Sequence, residues 1–251
     1  FTLLHEMGHL LINELQLPVL GREEDAADQL GFMGLFLLAG KQRDSDFYAK
    51  LLDIADYWRL EWQRPKRADE EIYAWDSHGL DAQRFYNTAC LAYGSDPDHL
   101  EWIINATGLP DERAFGCAQE YQQVAYAVNW LEQHFRRPTG SPIQHRIKVI
   151  YDLPPASLEH GAQMLAKVRA SGLLEEVANR ASETFALPRE LNLRLTSCGA
   201  DDAWYNGQSG ELTLCYERLA HFRQLAQQLP RLRANESQRV QQPSYPSSPL
   251  P

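Results

Sequence analysis

The sequence predicts an α+β fold that is mostly helical, with a small mixed sheet and an edge hairpin. Apolar residues recur at helical spacing through most of residues 1–137, which is typical of packed amphipathic helices. The composition then changes, because RRPTGSPIQH at 136–145 is rich in Pro, Gly and Ser and indicates a linker at 138–145. Strand-like stretches follow. We therefore expect a single domain over 1–233, whose second half is 146–233.

Each helix of the first half is predicted from its own residues. Residues 2–15 have the apolar spacing of an amphipathic helix, and Pro18 and Gly21 should end it. The acidic start and apolar remainder of residues 22–40 indicate a core helix. RPKRADEE at 64–71 is a polar loop. The other predicted helices are 44–63, the later part of 75–94, a short one within 95–110, and 112–135.

The second half mixes strands with helices. IKVIYDL at 147–153 is rich in β-branched and aromatic residues, and LNLRLTSC at 191–198 alternates as a strand does. Residues 203–217 predict a hairpin that turns at NGQSG. The remaining segments are helices at 158–187, broken near Gly172, and at 218–232, and a tail at 234–251 that lacks apolar periodicity and is predicted to be disordered.

Composition excludes several classes of function. The chain has 251 residues, 44% of them hydrophobic, and a formal net charge of -10. An acidic surface repels phosphate backbones, so nucleic acid is not an expected partner. The most apolar stretch, LGFMGLFLLAG at 30–40, is too short for a membrane span and fits a buried helix.

Four cysteines allow three pairings. The simplest joins sequence neighbours, Cys90 with Cys117 and Cys198 with Cys215. The alternative is four reduced thiols in a cytosolic protein. We favour two disulfides because the number is even and the pairs are local, which predicts an oxidising compartment and a secreted or periplasmic protein. A signal peptide is not visible in this chain.

A candidate metal site begins in LLHEMGHLL at 3–11. His5 and His9 are four residues apart, which puts both imidazoles on one helix face, about 6 Å apart. Two such side chains can bind one tetrahedral Zn²⁺. Glu6 is placed beside them to take a proton from an attacking water, and the three residues together form an HExxH motif.

A catalytic zinc site needs a third protein ligand, and the next predicted helix offers one. Glu24 and Asp28 are four residues apart in EDAAD. We expect Glu24 to bind the metal and Asp28 to accept the free N–H of a ligand histidine. Glu23 competes for the ligand role. The alternative, in which the histidines lie on a helix surface and EED only caps a helix, is disfavoured by the combined motif.

HEMGH followed by GREEDAAD resembles the glutamate-zinc metallopeptidases, the gluzincins. More closely, LLHEMGHLLINELQLPVLGREEDAADQ and WDSHGLDAQRFYNTACLAYGSDP resemble the DUF4344 family, over most of residues 1–233. That family's peptidase activity is itself inferred. The resemblance implies a zincin-like metallopeptidase fold and a zinc hydrolase, without giving a substrate.

Two further stretches resemble better-known gluzincins. DSHGLDAQR is similar to a neprilysin-type pattern, which implies that His78 stabilises an oxyanion and that Arg84 holds a substrate carbonyl or organises the site. The alternative for His78 is a cap on the following helix.

DAWYNG is similar to the edge strand of thermolysin-like enzymes, which implies that substrate binds along the backbone of Ala203 and Trp204. Asp202 stands where that pattern has Asn, and a carboxylate cannot donate the amide hydrogen bond. The alternative is an ordinary hairpin.

The order of the segments departs from the family. In gluzincins the sheet precedes the HExxH helix, whereas here it follows. Residues 146–233 resemble the family's N-terminal half and residues 1–137 its C-terminal half, with 138–145 as the joint. The resemblance therefore implies a circularly permuted order, which is tolerated when the rejoined ends lie close together.

Together these features predict a zinc-dependent metallopeptidase with one Zn²⁺ and a peptide or protein substrate. One alternative is a non-peptidase zinc amidohydrolase on the same site. Another is a zinc-stabilised binding module without catalytic activity. The presence of Glu6 favours an enzyme, since a purely structural zinc site has no use for a general base.

Overall fold

The computed structural model describes residues 1–64 and 75–240, and the side chains of all of these except 235–240. The described part is mixed α and β, mostly helical, with one four-stranded sheet. Of the polar loop predicted at 64–71, only Arg64 lies within the described residues. The helices are α1 Thr2–Leu15, α2 Glu23–Ala39, α3 Ser45–Gln63, α4 Asp81–Gly94, α5 Trp102–Thr107, α6 Asp111–Ala114, α7 Cys117–Phe135, α8 Gly161–Ser171, α9 Leu173–Thr184, α10 Tyr216–Ala226 and α11 Leu229–Val240.

The chain divides into two compact units, neither of which is continuous in sequence. The first comprises Phe1–Phe47, Ala68–Gly79 and Gln123–Arg223, and the second Tyr48–Arg67, Leu80–Gln122 and Gln224–Pro251. The first unit therefore contains both the HExxH helix and the whole sheet. The predicted linker lies within it, without helix or strand, so the units do not coincide with the two predicted halves.

The sheet contains β1 (Ile147–Tyr151), β2 (Leu191–Thr196), β3 (Ala203–Asn206) and β4 (Glu211–Cys215) in the order β1-β2-β4-β3. Strands β1, β2 and β4 run parallel to one another, and β3 pairs antiparallel with β4. The predicted hairpin is thus confirmed, with β3 at the edge. Its turn ends at Gly210, whose φ of 68° favours a residue without a side chain.

Helix α1 packs on both the sheet and α2. Its Met7 and Leu10 belong to the same core as the inward residues of β2 and β4. The approach to α2 is very close, because a Cβ on Gly8 would lie 3.0 Å from the Ala27 Cα, and one on Gly31 only 2.9 Å from the His5 nitrogen. Glycine at these two positions lets the backbones meet, which brings the acidic start of α2 to the histidines of α1.

Three predictions about helices were wrong. The helix expected over 218–232 is broken at residues 227–228, between α10 and α11, because Pro230 has no N–H to donate to the Ala226 carbonyl. The helix expected over 112–135 is broken between α6 and α7, where Gly116 is a poor helix former and Cys117 is bonded to Cys90. The tail expected from 234 is helical to Val240, because α11 is built from good helix formers and its Leu232 packs on Leu225 and Leu60. Residues 241–251 of that tail lie outside the described part.

Both predicted disulfides are present. Cys90 pairs with Cys117 in the second unit, and Cys198 pairs with Cys215 in the first. Disulfides persist in oxidising compartments, so the two bonds fit an extracellular or periplasmic protein. Among the described helices, none combines the length and the apolar character that crossing a membrane requires.

Candidate metal centre

The centre is formed where α1 meets the first turn of α2. Helix α1 ends at Gln16, which adopts a left-handed conformation with φ of 52°, and the chain then reverses into α2. This places the HExxH face of α1 against Glu23 and Glu24. His5 and Glu6 are buried, at 5% and 7% exposure, so the polar side chains lie in a largely dry environment.

Three candidate ligand atoms lie at nearly equal distances from one another. The Nε2 atoms of His5 and His9 are 3.2 Å apart, and Glu24 Oε2 is 3.3 Å from the first and 3.4 Å from the second. Ligands bound to Zn²⁺ at about 2.0–2.1 Å in a tetrahedron are about 3.3–3.4 Å from one another. The spacing of these three atoms therefore fits one such ion.

The hydrogen bonding of Glu24 supports the same fit. Its Oε2 atom is buried and accepts no well-directed hydrogen bond from any described residue, although imidazole nitrogens surround it. A buried carboxylate oxygen left in this way costs free energy unless another group satisfies it. A cation between the ligand atoms would do so.

The outer nitrogens of both histidines contact carboxylates. His5 Nδ1 lies 2.8 Å from Asp28 Oδ1, at ion-pair distance but poorly directed as a hydrogen bond. His9 Nδ1 lies 2.7 Å from Glu23 Oε1. Such partners fix the rings so that Nε2 faces inward. Asp28 therefore contacts the outer nitrogen of His5, and Glu23 contacts the outer nitrogen of His9.

His78 joins the cluster from the loop before α4. Its Nε2 lies 3.0 Å from Glu24 Oε2, and its ring is half exposed. Asp76 accepts a hydrogen bond from the His78 backbone N–H at 2.9 Å. Helix α4 has Leu80 at its N-cap, where Gln83 accepts the Leu80 N–H at 3.1 Å.

Burial and neighbouring charges shift the pKa values of several residues in this cluster. Burial raises the pKa of Glu6 to about 6, against the opposing charges of His5 and His9. Burial acts to lower the pKa of His9, but the carboxylates of Glu24 and Glu23 beside its ring raise it to about 9. The pKa of Glu24 lies well below its usual range because the imidazoles outweigh the effect of burial. Metal binding at such a cluster would displace protons from the imidazoles.

Arg84, the other predicted catalytic residue, lies in the second unit. Its guanidinium stacks on the ring of Trp58, 3.6 Å from the ring centroid, and Trp58 is buried. A cation over an indole face contributes to packing, particularly where water is excluded. Within its unit, Arg84 is therefore part of the contact between α3 and α4.

The predicted substrate-binding strand lies beside the HExxH helix. Ala203 is buried in the core shared with α1, while Trp204 on the opposite face is 39% exposed. Asp202 precedes the strand, and its Oδ1 accepts the Ala203 N–H at 2.8 Å.

One group of polar residues was not predicted. Glu14, on the last turn of α1, accepts hydrogen bonds from Arg189 and from Tyr205 on β3. The only signal in the sequence was an acidic residue one turn after Leu10 on the apolar face of α1. That spacing indicates a buried partner but does not say which residue it is.

These features, a buried HExxH helix and a converging carboxylate, are those of the metallopeptidase class. The chain belongs to the DUF4344 family, described as putative metallopeptidase, whose model matches residues 1–132 and 154–244. No curated protein and no solved structure matches the chain. Family membership supports a hydrolase with peptide or protein substrates and implies a metal cofactor, for which the structure offers a possible His/Glu site.

Proposed function

We propose that the chain is a zinc-dependent metallopeptidase of the gluzincin type, with His5, His9 and Glu24 as the metal ligands. The observation that carries the proposal is the near-equal spacing of three ligand atoms, 3.2 to 3.4 Å, at the edge length of a zinc tetrahedron. Three ligands leave the fourth position open, as a catalytic site requires. The donor set of two imidazoles and a carboxylate suits zinc.

Bound Zn²⁺ supplies Lewis-acid chemistry, which activates a water molecule and polarises a carbonyl. Glu6 then acts as the general base. Its Oε1 lies 4.0 Å from His5 Nε2, next to the ligand atoms but not one of the three. It takes the proton of the attacking water and passes it to the leaving amine. Burial of Glu6 keeps competing water away from the proton.

His78 and the edge strand complete the proposed site. The half-exposed imidazole of His78 is beside Glu24 and can donate a hydrogen bond to a developing oxyanion. Strand β3 pairs on one side only within the described sheet, so its other edge is open to an extended peptide. Ala203 and Trp204 would supply the backbone groups, and the Asp202 side chain acts as an acceptor only.

We also propose a zincin-like fold in circularly permuted order. One observation supports it. Helix α1 and strand β3 pack together although the hairpin follows the HExxH motif by almost 200 residues. A chain rearranged so that 146–233 precedes 1–137 should fold and bind zinc as tightly as the parent. A rearranged chain that does not fold would contradict the permutation.

The enzymatic proposal is tested by incubating the protein with a mixed peptide library. We expect zinc in about one equivalent by elemental analysis, peptide cleavage that a chelator abolishes, and recovery on adding zinc back. His5→Ala should lose both zinc and cleavage. Tight zinc binding by His5→Ala would contradict the ligand assignment. Zinc binding without cleavage of any peptide would instead indicate a zinc-stabilised binding module or a different hydrolase.

A further inference from the structure

We propose that Glu14, Arg189 and Tyr205 form an anchor that fixes the position of edge strand β3 along the HExxH helix, and that they are thereby positioning residues for the peptide substrate. The inference rests on the proposed function, because it concerns how the substrate-binding edge is aligned with the metal centre. All three residues lie in the first unit.

The anchor is formed by directed hydrogen bonds around one buried carboxylate. The Glu14 side chain is only 4% exposed. Arg189 donates to it from Nε at 3.0 Å and from Nη2 at 2.6 Å, a two-point contact that fixes orientation as well as distance. The Tyr205 hydroxyl donates to the same carboxylate. Three donors on one acceptor group leave Glu14 little freedom to move.

The same arginine also holds the turn of the hairpin. Arg189 donates to the carbonyl of Gly207 and, at 3.2 Å, to that of Gln208. The turn lies directly on α1, because a Cβ on Gly207 would come within 2.7 Å of the Asn13 side-chain oxygen. Helix, strand and turn are therefore joined at one point, through residues that are 175 to 191 positions apart in the chain.

The anchor lies at the opposite end of β3 from the proposed chemistry. Ala203, at the start of β3, belongs to the same core as Met7, which follows Glu6 on α1, whereas Gly207, just after β3, contacts Asn13. Strand β3 thus runs alongside α1 from Glu6 toward Glu14, a helix segment of about 12 Å. A shift at the anchor would move the whole edge along the helix. Displacements of about 1 Å at a substrate-positioning element can reduce kcat/KM by up to about 100-fold.

The test compares Glu14→Gln and Tyr205→Phe with Glu211→Gln in the zinc-loaded protein. Glu211 also pairs with an arginine of this sheet, Arg194 at 3.0 Å, but it lies on β4 and is not part of the anchor. Gln keeps the size of Glu14, and Phe keeps the ring of Tyr205, so the core stays filled. We measure amide hydrogen exchange of the hairpin, zinc content, and KM and kcat on a peptide cleaved by the parent.

Both anchor variants should retain zinc, exchange the amides of 203–210 about tenfold faster than the parent, and show KM raised about tenfold with kcat nearly unchanged. Glu211→Gln should match the parent in each measurement. Hairpin exchange or KM in the anchor variants equal to those of Glu211→Gln would overturn the inference. If the parent cleaves no peptide, the proposed function fails, and hydrogen exchange alone then decides whether the anchor holds the strand.

Discussion

A carboxylate lies against each end of helix α1, and the groups that surround the two carboxylates differ. At the C-terminal end, the Glu14 carboxylate is surrounded by N–H and O–H donors that point at it. At the N-terminal end, Glu24 Oε2 approaches α1 among imidazole nitrogens and accepts no well-directed hydrogen bond within the described part of the chain. The first arrangement is complete as it stands, whereas the second is completed by a cation.

The cationic side chains that contact these two carboxylates also differ in whether they can lose a proton. Arg189 is permanently charged, so its pairing with Glu14 does not depend on exchange of a proton. The imidazoles of His5 and His9 can exchange a proton for a metal ion within the ordinary pH range. The fixed pairing of Glu14 suits a structural role, and the imidazoles around Glu24 suit a site that binds a metal ion. Four experiments test this difference between the two ends of the helix.

The largest difference is expected in catalysis. Glu6→Gln should reduce peptide cleavage by about 10²- to 10⁴-fold, because an amide cannot act as a general base, while zinc content stays at the parent level. The measurement is cleavage of a library-derived peptide together with elemental analysis. Glu211→Gln, a carboxylate of the sheet that belongs to neither end of the helix, is the matched control and should retain kcat and KM. Parent-like cleavage by Glu6→Gln would show that the proposed base is wrong.

Metal affinity should distinguish the two adjacent glutamates. Glu23→Gln removes a contact to the outer nitrogen of His9, and such changes typically reduce metal affinity by about 10–100-fold. Glu24→Gln removes a proposed ligand and should reduce it further. Zinc affinity is measured by competition with a chromophoric chelator. A greater loss for Glu23→Gln than for Glu24→Gln would reverse the assignment of the third ligand.

The free energy of unfolding should depend on the pairing of Glu14 with Arg189. Arg189→Met leaves the Glu14 carboxylate, 4% exposed, without its cation. Because the Arg189 side chain is itself 38% exposed, the loss should be about 2 kcal/mol of unfolding free energy. Replacing both residues, as Glu14→Leu with Arg189→Met, removes the stranded charge and should recover most of the loss. Denaturant unfolding measures both. A double variant less stable than Arg189→Met would show that Glu14 was not stranded.

The smallest effect concerns pH. Hydrogen bonds from Arg189 and Tyr205 outweigh burial and lower the pKa of Glu14 in the folded state. Its ionised form therefore stabilises the fold above the unfolded-state pKa, about 4.3, and this contribution is lost as pH falls through the lower folded-state pKa.

The difference in unfolding free energy between the parent and Glu14→Gln should accordingly be about 1 kcal/mol at pH 7 and shrink as the solution is acidified below about pH 5. Denaturant midpoints at a series of pH values measure it. A difference in unfolding free energy that grows on acidification would contradict the lowered pKa of Glu14.

The sequence by itself determined the features that depend on local geometry. The four-residue spacing of His5 and His9 fixes a shared helix face wherever the helix lies. The composition of the turn at NGQSG and the local spacing of the cysteines likewise predicted the hairpin and both disulfides. In contrast, the break before Cys117 and the helical extension to Val240 depend on a disulfide and on packing partners distant in the chain.

The tertiary structure alone decided which acidic side chains meet the histidines. Adjacent residues such as Glu23 and Glu24 point about 100° apart around a helix, so the rotation of α2 selects which one faces inward. That rotation is set by the close contacts of Gly8 and Gly31 with the neighbouring backbone. The partners of Glu14 could not be predicted from the sequence either, because Tyr205 on β3 and Arg189 just before β2 reach it only through the packing of the sheet on α1.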